Sequence, residues 1–290
     1  MNSRMVMKAM VGFYICLFFL YLFGPLIVMS ITAFNTPSYP QAFPFEGFTL
    51  DWFVKLWNHR AMMEGLRNSI IIGLGVVAIS VPVGLAASII MSQIYHRARS
   101  LYYLITISPL LTPGVIIGIS TVIFWKDVLG VTEFTKAVFY KGMILAILGQ
   151  ASFVSAYCLL IFMARLTRFD RAQEEAALDL GASYPQVFWH ILLPFLKPAV
   201  VSAVVIGFLS SFENYNTTTF AILADKTLVT VLAGEVRQGT NPALSALAVI
   251  IISISLAGAI IFEVLKRREQ QKAERAHREA VLAERQEAVV

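Results

Sequence analysis

Charged side chains are scarce in this chain: Asp, Glu, Lys and Arg supply 14% of its 290 residues against 58% hydrophobic, with a mean hydropathy of +0.72. A soluble domain of this length has no interior large enough for so much apolar surface, so most of the solvent around it is lipid. Cysteine is nearly absent. Cys16 and Cys158 both fall in long apolar runs, which excludes a disulfide framework or a cysteine metal centre and leaves them as packing residues. The four histidines, His59, His96, His190 and His277, are scattered, with no H-E-x-x-H. No G-x-x-x-x-G-K-[ST] and no G-x-S-x-G occurs, so neither a P-loop for ATP nor the usual hydrolase nucleophile is present, and the chain is read as a non-enzyme. The net charge of +5 does not mark a nucleic-acid binder, because the basic residues sit at the ends of apolar runs rather than in one patch.

What the chain has is long hydrophobic runs. A hydrocarbon core of about 30 Å needs about 20 apolar residues per helix. Such runs occur six times, near 10–34, 68–94, 101–125, 142–164, 197–221 and 243–265. An even number puts both ends on one side. With the termini inside, fifteen of the 23 Lys and Arg residues lie inside and eight outside, which predicts cytoplasmic termini by the positive-inside rule. The first run is too long for a signal peptide and lacks a small-x-small cleavage site, so it reads as a retained first helix. This gives an N-terminal stretch over 1–9, a six-helix domain over 10–265, and a charged cytoplasmic tail over 266–290.

The connections differ in character. The first outer loop, 35–67, starts with Pro37, Pro40 and Pro44 and then shows an amphipathic stretch after Thr49 with Trp52, Phe53, Leu56 and Trp57, which suits a short helix at the outer interface. Pro109 and Pro113 in the third run predict a kink, either purely structural or a gate.

The inner connection over 171–196 is more ordered than a simple loop requires. Arg171 to Leu180 are good helix formers, Gly181 follows where a left-handed C-cap needs a residue without Cβ, and Ser183 with Gln186 has capping-box spacing with Pro185 in the first turn. Pro194 and Pro198 are expected to interrupt the second helix. Two readings stand: an amphipathic hairpin resting on the inner surface through Phe188, Trp189 and Ile191, or a rigid knob that transmits force from a cytosolic partner.

The fifth run carries Phe212-Glu213-Asn214-Tyr215-Asn216-Thr217-Thr218-Thr219. An acidic side chain at a membrane centre costs about 2.5–3.5 kcal/mol on insertion scales, so this cluster must face protein or a water-filled path. Helical spacing places Glu213, Asn216 and Thr217 on one face, as candidates for the lining of a translocation route. Glu213 and Tyr215 together suit an ammonium group by charge and cation–π attraction. The alternatives are that Glu213 pairs with a base on another subunit, or that the amides and threonines knit helices together.

The pattern Glu175-Ala176-Ala177, Gly181, Ile191-x-Leu193-Pro194 resembles the EAA loop of inner-membrane permeases of binding-protein-dependent ABC importers, in identity and spacing. Leu50-Asp51-Trp52-Phe53, Leu66-Arg67-Asn68-Ser69, the stretch from Ser108 to Gly114, and Ser210-Ser211-Phe212-Glu213-Asn214-Tyr215 are similar to the spermidine/putrescine branch, in particular its second permease subunit. That branch also holds permeases for iron, thiamine and phosphonate-type solutes, and Asn214 stands where a second acid is usual. The resemblance implies an all-α type I importer permease of six transmembrane helices in a bacterial inner membrane. It implies that Glu174, Glu175, Ala176, Ala177, Asp179, Gly181 and Ala182 lie at the surface that docks on an ATPase. The implied partners are a second homologous permease, two cytosolic ATPase subunits carrying ATP and Mg, and a periplasmic or surface solute-binding protein that meets the loops near 35–67, 126–141 and 222–242. No cofactor is expected on this chain. A secondary transporter is the rival class, though no internal repeat supports it.

Overall fold

In the computed structural model the described residues are 3–239, 241–258, 260 and 264. The predicted tail over 266–290 and part of the sixth run lie outside them. Among the described residues every extended element is a helix, and the one β-type pairing is an isolated bridge between Asn35 and Phe48. The chain divides into two compact units, residues 59–235 and the remainder.

The first unit holds α1 (Ser3–Phe34), α2 (Asp51–Asn58) and an apolar helix over Pro242–Gly258. The loop between α1 and α2 is organised by Asn35, which is buried although polar. Its amide donates to the carbonyls of Gln41 and Pro44, and its carbonyl oxygen accepts from the backbone N–H groups of Thr36 and Glu46. Trp52 of α2 is also buried and donates its indole N–H to the Asn35 backbone carbonyl, 2.7 Å away. The prolines and aromatics of this loop therefore form a pinned structure, because each buried polar group has a partner.

The second unit is built on α3 (Arg60–Gln93) and α7 (Gly142–Leu166), with α10 (Leu193–Phe212) packed against both. Glycines permit the approach: a Cβ at Gly84 would stand 2.9 Å from both the Ser155 carbonyl and the Leu159 nitrogen. Between helices in lipid the attraction is close packing rather than apolar burial, so small residues at the crossing are what hold it. Ile72, Val76, Val154, Cys158, Phe162 and Ala203 fill the centre.

Among the described residues four helices are long and apolar enough to cross a membrane: Met7–Phe34, Arg60–Gln93, Gly142–Leu166 and the run Tyr184–Phe212. The third predicted span is a pair, α4 (His96–Leu111) and α5 (Gly114–Thr121) with its π-helical extension Val122–Val128, bent by 95° at Thr112 and Pro113. Pro113 has no N–H to continue the ladder, and it disfavours helical geometry at Thr112, which is extended. The predicted kink is thus a full break.

Candidate functional site

After α7 the chain turns through Thr167 to Arg171 into α8 (Ala172–Asp179). Gly181 follows with φ +84°, a left-handed conformation that costs a side-chain-bearing residue about 1–2 kcal/mol. Its N–H bonds the Leu178 carbonyl at 2.9 Å and the Ala182 N–H bonds the Ala177 carbonyl at 3.0 Å, which closes the end of α8. The next helix, α9 (Tyr184–Val187), opens with the expected capping box: the Gln186 side-chain oxygen accepts from the Ser183 N–H at 2.7 Å.

One expectation is corrected here. Pro194 and Pro198 do not stop the second helix. A π-helical turn over Phe188–Leu192 precedes Pro194, the Leu193 N–H reaches back to the Phe188 carbonyl, and α10 runs on to Phe212. Pro194 falls in the first turn of α10, where the wider π turn has already shifted the ladder and a missing donor is harmless. The hairpin's second helix is therefore continuous with the fifth span, with no break from Tyr184 to Phe212.

The hairpin is also braced. Arg171 donates to the Ser92 carbonyl at the end of α3 (2.6 Å), Arg165 donates to the Phe195 carbonyl and lies over its ring, and Phe169 packs on Phe195. Glu174 and Glu175 line a cavity of about 240 Å³ with Arg171, Ser92 and Tyr184; Glu174 is half-buried and Glu175 exposed. Asp179, Gly181 and Ala176 are exposed, Ala177 and Ala182 are half-buried, and Leu180 is 89% exposed at the tip. Leu180 is thus a large apolar side chain left uncovered at the turn, a residue that sequence reasoning passed over.

The polar segment of the fifth span differs from the single helical face expected for it. The helix ends at Phe212; Glu213 is its C-cap and is exposed, and a new short helix, α11 (Asn216–Ala221), starts beyond Tyr215. The cause is Asn214, whose side-chain oxygen accepts from the N–H groups of Thr217 and Thr218, offering the backbone a capped start in place of a continued helix. Glu213, Asn216 and Thr217 hence do not share a face. Asn216 is exposed, while Thr217 is fully buried beside Gly114, Gly118 and Gly149 and its hydroxyl makes no hydrogen bond. Thr217 belongs to the helix packing and not to an accessible lining.

Gln150 of α7 holds this break in place. It is buried, its amide donates to the Thr218 hydroxyl at 2.7 Å, and its oxygen accepts from Ser211. A lone glutamine in the run 142–164 was the available signal, since an amide inside a span needs partners. Beyond α11, the Asp225 carboxylate accepts from the Met143 N–H at the start of α7, and Asn68 donates to the Lys226 carbonyl.

Several membrane-length apolar helices, a third span bent at Thr112 and Pro113, and a capped hairpin continuous with the fifth define a multi-pass helical membrane domain. The chain belongs to the family described as binding-protein-dependent transport system inner membrane component, which matches residues 65–271. It is therefore a multi-pass inner-membrane transport subunit. It is 27% identical over 258 residues to the putrescine transport system permease protein PotI of Escherichia coli K12, covering 88% of this chain and 90% of that one. It is 25% identical over 249 residues to the spermidine/putrescine transport system permease protein PotC of Haemophilus influenzae, covering 86% and 93%. Its fold matches a bacterial ABC transporter involved in the import of the acidic polysaccharide alginate, with a TM-score of 0.65 at 17% identity over 89% of this chain and 93% of that one.

Proposed function

We propose that this chain is a permease subunit of an ATP-driven importer that carries a polyamine such as putrescine or spermidine into the cytoplasm, with both termini and the hairpin on the cytoplasmic side. The observation that carries the coupling role is the continuity from the glycine-capped hairpin through the π turn into α10, which ends at the polar break. The similarity to PotI and PotC along most of the chain supports the solute class.

In this reading the exposed tip, with Leu180, Asp179 and Gly181, seats in a cytosolic ATPase subunit, and a second homologous permease brings an equivalent hairpin to a second ATPase copy. ATP and Mg are held by those subunits. A solute-binding protein delivers the solute from the outer side. ATP-driven closure of the ATPase pair moves the hairpins, α10 moves with them, and the break at 213–215 alters its exposure. Solute must bind the two states differently for this to pump. Glu213, with Asn214, Tyr215 and Asn216 around it, is the candidate path group.

The test is reconstitution of this chain with its neighbouring permease, ATPase and binding protein in proteoliposomes, with radiolabelled putrescine outside. ATP-dependent accumulation that requires the binding protein supports the proposal. Accumulation of a different solute with no polyamine uptake overturns the solute class.

A further inference from the structure

We infer that the groove beside the break in the third span is a second subsite for the solute, one that takes alkylammonium groups on neutral oxygen acceptors. The inference rests on the polyamine reading above. The groove measures about 410 Å³ and is lined by Ser108 of α4, Thr112 at the break, Ser120, Thr121 and Trp125 of α5 and its extension, and Ser152 of α7. Three helices and the break between two of them thus contribute five hydroxyls and the rings of Phe124 and Trp125 to one cavity, and among the described residues no charged side chain lines it.

The polarity of these hydroxyls is fixed. Ser108 donates to the Ile105 carbonyl, Thr112 to Ser108, Ser120 and Thr121 both to Ile117, and Ser152 to Gly149. A hydroxyl has one proton and two lone pairs, so each of these spends its proton on its own helix and keeps lone pairs for a guest. Such an array welcomes N–H donors. An anion would find no hydroxyl proton free, whereas an ammonium finds several acceptors and the ring of Trp125 for cation–π attraction. The backbone is non-helical at Thr112 and Pro113, and irregular backbone at membrane depth is tolerated where protein or a water-filled path covers it. The groove is close to the fifth-span break: Thr121 and Thr217 both pack on Gly149. Neutral acceptors at this subsite bind a dication without the deep trap that a buried carboxylate would make.

The complete importer in proteoliposomes tests this. Ser120→Ala with Ser152→Ala removes two acceptors with little change in volume, and putrescine uptake is expected to fall at least about tenfold, the loss of one hydrogen bond to a charged group. A second measurement does not depend on uptake. In a Cys16→Ser background, Ser120→Cys is labelled with a methanethiosulfonate reagent, and putrescine is expected to slow labelling where butane-1,4-diol of the same length does not. Unchanged uptake in the double variant, or equal protection by diamine and diol, overturns this inference alone. Absence of any polyamine uptake by the unmodified importer overturns the proposed solute class and this inference with it.

Discussion

Replacing Gly181 isolates backbone conformation from every other property of the hairpin. The residue has φ +84°, and a Cβ built on it would meet nothing within 4 Å, so a substitution acts through strain and not through a clash within the chain. Alanine in the left-handed region costs about 1–2 kcal/mol, and a β-branched valine costs more. The two bonds that close α8, Gly181 N–H to Leu178 and Ala182 N–H to Ala177, contribute about 0.5–1.5 kcal/mol each, so the strain of valine is comparable with what holds the turn. Asparagine adopts the left-handed conformation readily and serves as the control for added bulk. The assay is the ratio of putrescine transported to ATP hydrolysed in proteoliposomes, with membrane insertion checked separately. The expected order is glycine and asparagine close together, alanine reduced several-fold, and valine lowest, because each 1.4 kcal/mol is about a factor of ten in the fraction of correctly formed hairpin. If asparagine impairs coupling as much as valine, bulk at the docking surface is the cause and the conformational argument fails.

Three further outcomes follow from the same packing. Glu213→Gln should lower putrescine uptake several-fold while the complex still assembles and copurifies; full uptake would leave Glu213 as a solvated helix cap. Gln150→Leu leaves the Ser211 hydroxyl without its acceptor and Thr218 without its donor, a loss of about 1–3 kcal/mol, and should lower the thermal midpoint in detergent; an unchanged midpoint would mean that the network does not hold the break. Gly84→Val forces α3 away from Ser155 and Leu159 of α7, at a cost of about 1–3 kcal/mol from overpacking, and should reduce the yield of folded protein; normal yield and midpoint would contradict the close crossing.

The hairpin was the most legible part of this chain, because its signals are local. A residue without Cβ after a helix, and Ser and Gln three apart, act over one turn, and both appear where the sequence placed them. The effect of Pro194 was misjudged because a π turn upstream absorbs the missing donor, and no residue pattern announces that turn. The fifth-span break was missed for a different reason. Helical spacing was applied across Asn214, whose side chain competes for the backbone N–H groups of Thr217 and Thr218. The hydroxyl groove could not be read at all, since its residues come from three helices and its character depends on which carbonyl takes each proton.

The most direct test of the central claim is a crosslink between the hairpin tip and the ATPase during turnover. Leu180→Cys, in a Cys16→Ser background, is paired with a cysteine in the groove of the ATPase subunit, and putrescine uptake is followed before and after oxidation. If the hairpin is the coupling element, the bond forms in the assembled importer, and uptake that depended on ATP before oxidation changes with the constraint and returns on reduction. Normal ATP-driven uptake by a variant in which residues 172–187 are replaced by a flexible linker would contradict the account.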